Sequence, residues 1–129
     1  MTVIDHLSVG VPSIEAAADF YNGLMKTIGL QNLAQNARFA AYGADAPVFL
    51  IMTPADGKTA TAGNGVHIAF VAPSRDAVDN FHRYAVEHRG DCAGQPGERP
   101  GYPKAGVYTA FVRDPFGNKL EVIHNGFAA

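Results

Sequence analysis

The chain has no tryptophan and only one cysteine, and each scarcity removes a class of explanation. A single thiol, Cys92, cannot form an internal disulfide, so the fold must rest on burial and hydrogen bonding, as suits a reducing cytoplasm. Cys92 lies between Asp91 and Ala93 with no Cys-His signature around it, and it reads as a packing residue rather than a nucleophile. Long apolar runs are missing as well: stretches such as Ala46–Met52 are far too short to cross a bilayer. Met1–Asp5 has no charged segment leading into an apolar one, so no secretory signal is visible. The ten Lys and Arg residues are scattered among twelve Asp and Glu, for a net charge of −2. Without a basic stripe to neutralise phosphates, neither nucleic acid nor a membrane is an expected partner.

Hydrophobic residues make up 47% of the 129 positions, enough for one domain or for two half-size modules that share a core. The dominant pattern is an internal repeat. His6-Leu7-Ser8-Val9-Gly10-Val11-Pro12-Ser13 returns 61 positions later as His67-Ile68-Ala69-Phe70-Val71-Ala72-Pro73-Ser74, and Phe20 returns as Phe81. In each copy a period-two stretch predicts a strand, and a Pro-Ser step ends it and caps a helix. The expected strands cover residues 2–11, 30–34, 37–42, 47–53, 66–72, 91–95, 107–112 and 118–125. The helices run from Ser13 to about Ile28 and from Ser74 to about His88. Pro54–Gly65 reads as a linker, and Gly94–Gly106, with four Gly and three Pro, as a loop. The order βαβββ–linker–βαβββ predicts an α+β domain over residues 1–129, with one module at 1–54 and another at 66–126. Each module is an antiparallel-rich sheet covered by one helix.

Both repeat histidines share a strand face with small residues, Ser8 and Gly10 in one copy and Ala69 and Val71 in the other, which predicts a cavity on that face. Glu121 lies between Leu120 and Val122 in a strand, where an unpaired carboxylate would be costly to bury. Two histidines and one carboxylate can hold a divalent ion and leave positions open for substrate. Aligning Asp45-Ala46-Pro47 with Asp114-Pro115-Phe116 puts Leu50 where the second copy has Glu121, so the expected ligand set is three, not four. Tyr108 is either a core or rim aromatic, or a phenol that orients substrate or shuttles a proton near the ion. Tyr102 is expected on the surface, with folding over the cavity mouth as its alternative. Arg113 is expected to pair with Asp114, His82 and His88 to face water, His124 to point away from the cavity, and Phe20 and Phe81 to pack in the core.

These motifs resemble the vicinal oxygen chelate superfamily, which includes glyoxalase I, extradiol dioxygenases, fosfomycin-resistance proteins and bleomycin-binding proteins. The resemblance covers nearly the whole chain. It rests on Asp5-His6-Leu7, Gly65-Val66-His67-Ile68-Ala69 and, most specifically, the stretch Phe111–Glu121 with its Asp-Pro-x-Gly-Asn-x-x-Glu pattern. It implies paired βαβββ modules forming an open, cup-shaped barrel, and it places His6, His67 and Glu121 on the metal-ligand positions. The ion implied is one divalent metal (Zn, Fe, Mn, Ni or Co), and Glu121 and Tyr108 are the candidate catalytic side chains. The substrate implied is a small molecule with two neighbouring oxygens, handled by lyase, isomerase or dioxygenase chemistry. Leu50 stands where glyoxalase I members usually carry a ligand, which counts against ordinary glyoxalase I activity. The alternative is a metal-free protein that sequesters a drug in the same cup, as the bleomycin-binding members do. The family further implies a homodimer, with the cup closed within one chain or between two.

Overall fold

The computed structural model describes residues 3–127. The first half runs β1 (Leu7–Gly10), α1 (Ile14–Lys26), β2 (Gln31–Gln35), β3 (Phe39–Gly43) and β4 (Pro47–Met52). The second repeats it as β5 (Ile68–Val71), α2 (Arg75–Glu87), β6 (Asp91–Glu98), β7 (Tyr108–Arg113) and β8 (Lys119–His124). The two sheets have matching orders, β1-β4-β3-β2 and β5-β8-β7-β6; in each, the first strand runs parallel to the last and the other pairings are antiparallel. This is the expected α+β arrangement of paired βαβββ modules, and the sheets do not close on themselves.

The helix starts follow from local chemistry. Ser13 and Ser74 both have extended backbone, and each accepts at Oγ from the amide three residues on, Ala16 at 3.3 Å and Ala77 at 3.1 Å. An acidic residue in each first turn, Glu15 and Asp76, complements the helix dipole. The apolar faces of the helices then bury Ala17, Tyr21, Leu24 and Met25 in one module and Ala77, Val78, Phe81 and Ala85 in the other. Phe20 and Phe81 are core residues, as their repeat positions suggest.

One core serves both halves. Phe49 of β4 meets Phe70 of β5 edge to face, with ring centroids 5.0 Å apart. Gly23 in mid-α1 gives Tyr84 of α2 its place: a Cβ there would lie 2.2 Å from the phenol oxygen. The most specific turn of the sequence also joins the halves. Asp114 is buried and accepts from the amides of Phe116 and Asn118, from the Asn118 side chain at 2.8 Å and from the Tyr21 hydroxyl at 2.5 Å. Asn118 also donates to the Gly10 carbonyl at the end of β1, 3.0 Å away.

Four expectations need correction. Gly94, Pro96 and Gly97 do not end β6, which runs on to Glu98 because it is an edge strand that absorbs them as register shifts. Cys92, on that same edge, is exposed rather than packed. His82 is buried on α2, not solvated, and burial lowers its pKa, an effect partly opposed by Asp79. Arg113 does not pair with Asp114; its Nη1 donates to the Gly117 carbonyl at 2.8 Å. His88, by contrast, is exposed at the C-terminal cap of α2, stacked on the Tyr84 ring.

Candidate metal centre

The two parallel strand pairs place the repeat histidines and their partners. In the second sheet Ala69 pairs with Glu121, and in the first Ser8 pairs with Leu50. Leu50 therefore occupies the structural position of Glu121, as the aligned turns indicate. Strand alternation sends Leu120 and Val122 to the core and turns Glu121 to the other face, which Phe111 opposite it on β7 shares. On that face of β5 the side chains are small or open: Ala69 is exposed and Val71 is 79% exposed.

Glu121 is itself only 3% exposed, and its two oxygens have different surroundings. Oε2 accepts from the Tyr102 hydroxyl at 2.7 Å. The Thr109 hydroxyl lies 2.8 Å from Oε2 and 2.7 Å from the Val122 carbonyl, with one proton between two acceptors. Oε1 faces His67, 3.2 Å from Nε2, and the imidazole is half exposed. The His67 ring also stands edge-on to Phe111, centroids 5.8 Å apart, which restrains its orientation. One ion at ordinary nitrogen and oxygen ligand distances requires donor atoms roughly 3.0 to 3.4 Å apart. The His67–Glu121 spacing falls inside that range, so these two donors fit a single divalent ion.

His6 is not brought to them within one chain. Its Nδ1 lies 2.6 Å from Asp5 and its side chain is half exposed, ahead of β1. Among the described residues, no three His, Cys, Asp or Glu side chains assemble into a group that could hold an ion. Tyr108 lies on the opposite face of β7 from Phe111, donates to Asp79 at 2.6 Å, and has Arg75 over its ring. The phenol that meets Glu121 belongs to Tyr102 instead. Burial, and then the hydrogen bond to Glu121 and its charge, push that phenol up to about 12, with Arg99 acting in the other direction. His124 sits opposite Tyr108 across β7–β8, away from Glu121, with Nδ1 3.1 Å from the Ala72 carbonyl.

Sequence reasoning did not single out Thr109, nor did it assign Tyr102 to Glu121. The parity of β7 carried a signal for Thr109, since positions 109, 111 and 113 share the Glu121 face. No periodic signal exists for Tyr102, which the Gly- and Pro-rich loop after β6 delivers. Among the described residues, no helix is long and apolar enough to cross a membrane.

Comparison with known proteins places the fold. Residues 3–122 match the family model of the Glyoxalase/Bleomycin resistance protein/Dioxygenase superfamily. A glyoxalase/bleomycin resistance protein from Albidiferax ferrireducens T118 is similar over 96% of this chain and 100% of its own, at 35% identity and a TM-score of 0.87. A glyoxalase/bleomycin resistance protein/dioxygenase family enzyme from Burkholderia phytofirmans PsJN shares the fold over 93% of this chain and 96% of its own, at 16% identity and a TM-score of 0.71. Lactoylglutathione lyase from Agrobacterium tumefaciens does so over 97% and 95%, at 20% identity and a TM-score of 0.67. Among curated proteins there is no match.

Proposed function

The chain belongs to the Glyoxalase/Bleomycin resistance protein/Dioxygenase superfamily, and from that premise we propose that it is a divalent-metal-dependent enzyme acting on a small molecule with two neighbouring oxygens. His67 and Glu121 would hold the ion from one chain, and His6 of a second copy would complete the set. The observation that carries this reading is the 3.2 Å spacing of His67 Nε2 and Glu121 Oε1 beside an exposed, small-residue strand face. Zn, Fe, Mn, Ni and Co all accept such a donor set.

When bound, the ion supplies a Lewis acid that polarises substrate oxygens. The side chains do the positioning. Tyr102 and Thr109 occupy Oε2 of Glu121, which leaves Oε1 directed at the ion site. With its pKa pushed up to about 12, Tyr102 keeps its proton at neutral pH and remains a donor to Glu121. Phe111 fixes the plane of the His67 ring. Leu50 contributes an apolar wall where a fourth protein ligand would stand, which would leave that place to substrate.

The homodimer is part of the proposal, because each chain presents His6 apart from the other two donors. Mixing two inactive variants tests it. His6→Ala and Glu121→Gln should each lose tight metal binding as pure proteins. After unfolding and refolding together they should recover about a quarter of the wild-type sites, since about half of random dimers carry one intact site out of two. A mixture that binds no ion, or a monomer in solution, would sink the shared site. A wild-type protein purified without chelator that takes up no divalent ion would favour metal-free sequestration instead.

A further inference from the structure

Arg113 and Lys119 are direct cross-strand partners in the β7–β8 pair. Like charges opposite one another in a sheet are destabilising. Among the described residues, no carboxylate lies within ion-pair distance of either. The acidic neighbours are engaged elsewhere, Asp114 by Tyr21 and Asn118, and Glu121 by Tyr102, Thr109 and His67. The single bond from Arg113 to the Gly117 carbonyl pins one end of the guanidinium at the turn, and the fork has five N–H donors in all. Lys119 lies over the Phe111 ring, 5.1 Å from its centroid.

Both cations line one cavity of ≈ 290 Å³, closed on another side by the Ala62–Val66 loop and bordered by His67. Gly63 and Gly65 take left-handed backbone, which lets this loop curl over the strand ends. We propose that this cavity binds the anionic end of the substrate, its carboxylate or phosphate oxygens, between Lys119 and Arg113. The proposal rests on the reading of His67 and Glu121 as the metal-holding pair. Residues two apart on one strand face are roughly 7 Å apart. An anion seated by Lys119 therefore leaves the other end of a small organic acid or phosphate monoester beside Glu121. A substrate of this class is small, anionic and oxygen-rich at both ends, whereas a cationic drug is repelled.

The test uses inorganic phosphate as probe and amide NMR of chelator-treated protein as readout, with metal content measured in parallel on untreated protein. Phosphate should shift the amides of Gly63, Gly65, His67 and Lys119 saturably. Lys119→Gln should weaken this binding about tenfold or more, because a charged hydrogen-bond donor is lost. The same variant should melt no lower than wild type, since the like-charge contact is relieved, and this separates lost binding from misfolding. Phosphate shifts that are absent, or equal in Lys119→Gln, overturn the anion site, whatever the metal content. Phosphate binding that depends on Lys119 in a protein that takes up no ion supports the anion site and overturns the metal reading alone.

Discussion

The Tyr102 hydroxyl donates to Glu121 Oε2 across 2.7 Å, from a loop residue to a carboxylate nineteen positions later in the chain. That contact keeps one carboxylate oxygen occupied and presents the other to His67. A loop otherwise rich in glycine and proline thereby sets the orientation of a buried acid.

Tyr102→Phe should leave the fold intact and lower metal affinity by about 10- to 100-fold, the usual result of removing a partner behind a ligand. Competition against a chelator measures it. Tyr102 stays protonated until about pH 12. The pH profile of any activity should therefore keep its shape between pH 6 and 9, approximately, while its height falls. A profile that loses a limb would instead give Tyr102 a proton-transfer role.

High pH should unfold the protein. All five tyrosines have raised pKa values. In Tyr21 and Tyr42 burial is the first cause, Tyr42 reaching about 12 and Tyr21 rising well above its ordinary value. The folded state then binds more protons than the unfolded chain above pH 10 or so, so stability is complete below that point and declines as pH rises towards about 12. For each fully buried phenol the loss approaches about 1.4 kcal/mol per pH unit. Denaturant melts from neutral to alkaline pH should show the decline, and Tyr42→Phe should flatten it once its neutral-pH stability is subtracted.

Removing the tie between the modules should be costly. Tyr21→Phe takes one donor from the buried Asp114 carboxylate, which then keeps only its contacts within the turn. A loss of about 1 to 3 kcal/mol is expected, read as a fall of several degrees in melting temperature. Asp114→Ala should cost more, because it orphans the Tyr21 hydroxyl and the Phe116 and Asn118 amides.

Leu50→Glu restores symmetry between the two sheets. Ser8 pairs with Leu50 as Ala69 pairs with Glu121, so the new carboxylate stands at the corresponding point of the first sheet. Without metal the variant should melt lower than wild type, since a half-buried carboxylate lacks a partner. Added divalent ion should raise its melting temperature by more than it raises that of wild type. Equal metal-induced shifts would place position 50 outside reach of the ion.

Much of this architecture was legible in the amino acids because it is periodic. The Pro-Ser punctuation, the alternating strands and the 61-residue offset pointed to both βαβββ units, and the aligned Asp45–Pro47 and Asp114–Phe116 turns put Leu50 at the counterpart of Glu121. Strand ends differ in both directions: β1 begins at Leu7 rather than Thr2, which lies outside the described residues, while β6 runs on to Glu98. What was not legible depends on contacts between distant segments. Tyr102 comes from an aperiodic loop. Cys92 is exposed because β6 is an edge, and edge position is not written in a strand's own sequence. Asp114 looked like half of an ion pair with Arg113, yet the turn directs it across the module boundary to Tyr21. Tyr108 was ambiguous by type, and only its parity with Ala110 and Val112 assigns it to the α2 side. The spacing of His6 from the other two donors is a matter of how the halves pack, which the repeat by itself does not encode.

The substitution of leucine for the second carboxylate has a consequence for how such a protein diversifies. Under the proposed function, one half of the polypeptide would carry the carboxylate and the donors behind it, while the other would supply little more than an imidazole and a shaped wall. Mutations that reshape the wall would then be insulated from the chemistry, and selection could change what is accepted without first rebuilding how it is transformed.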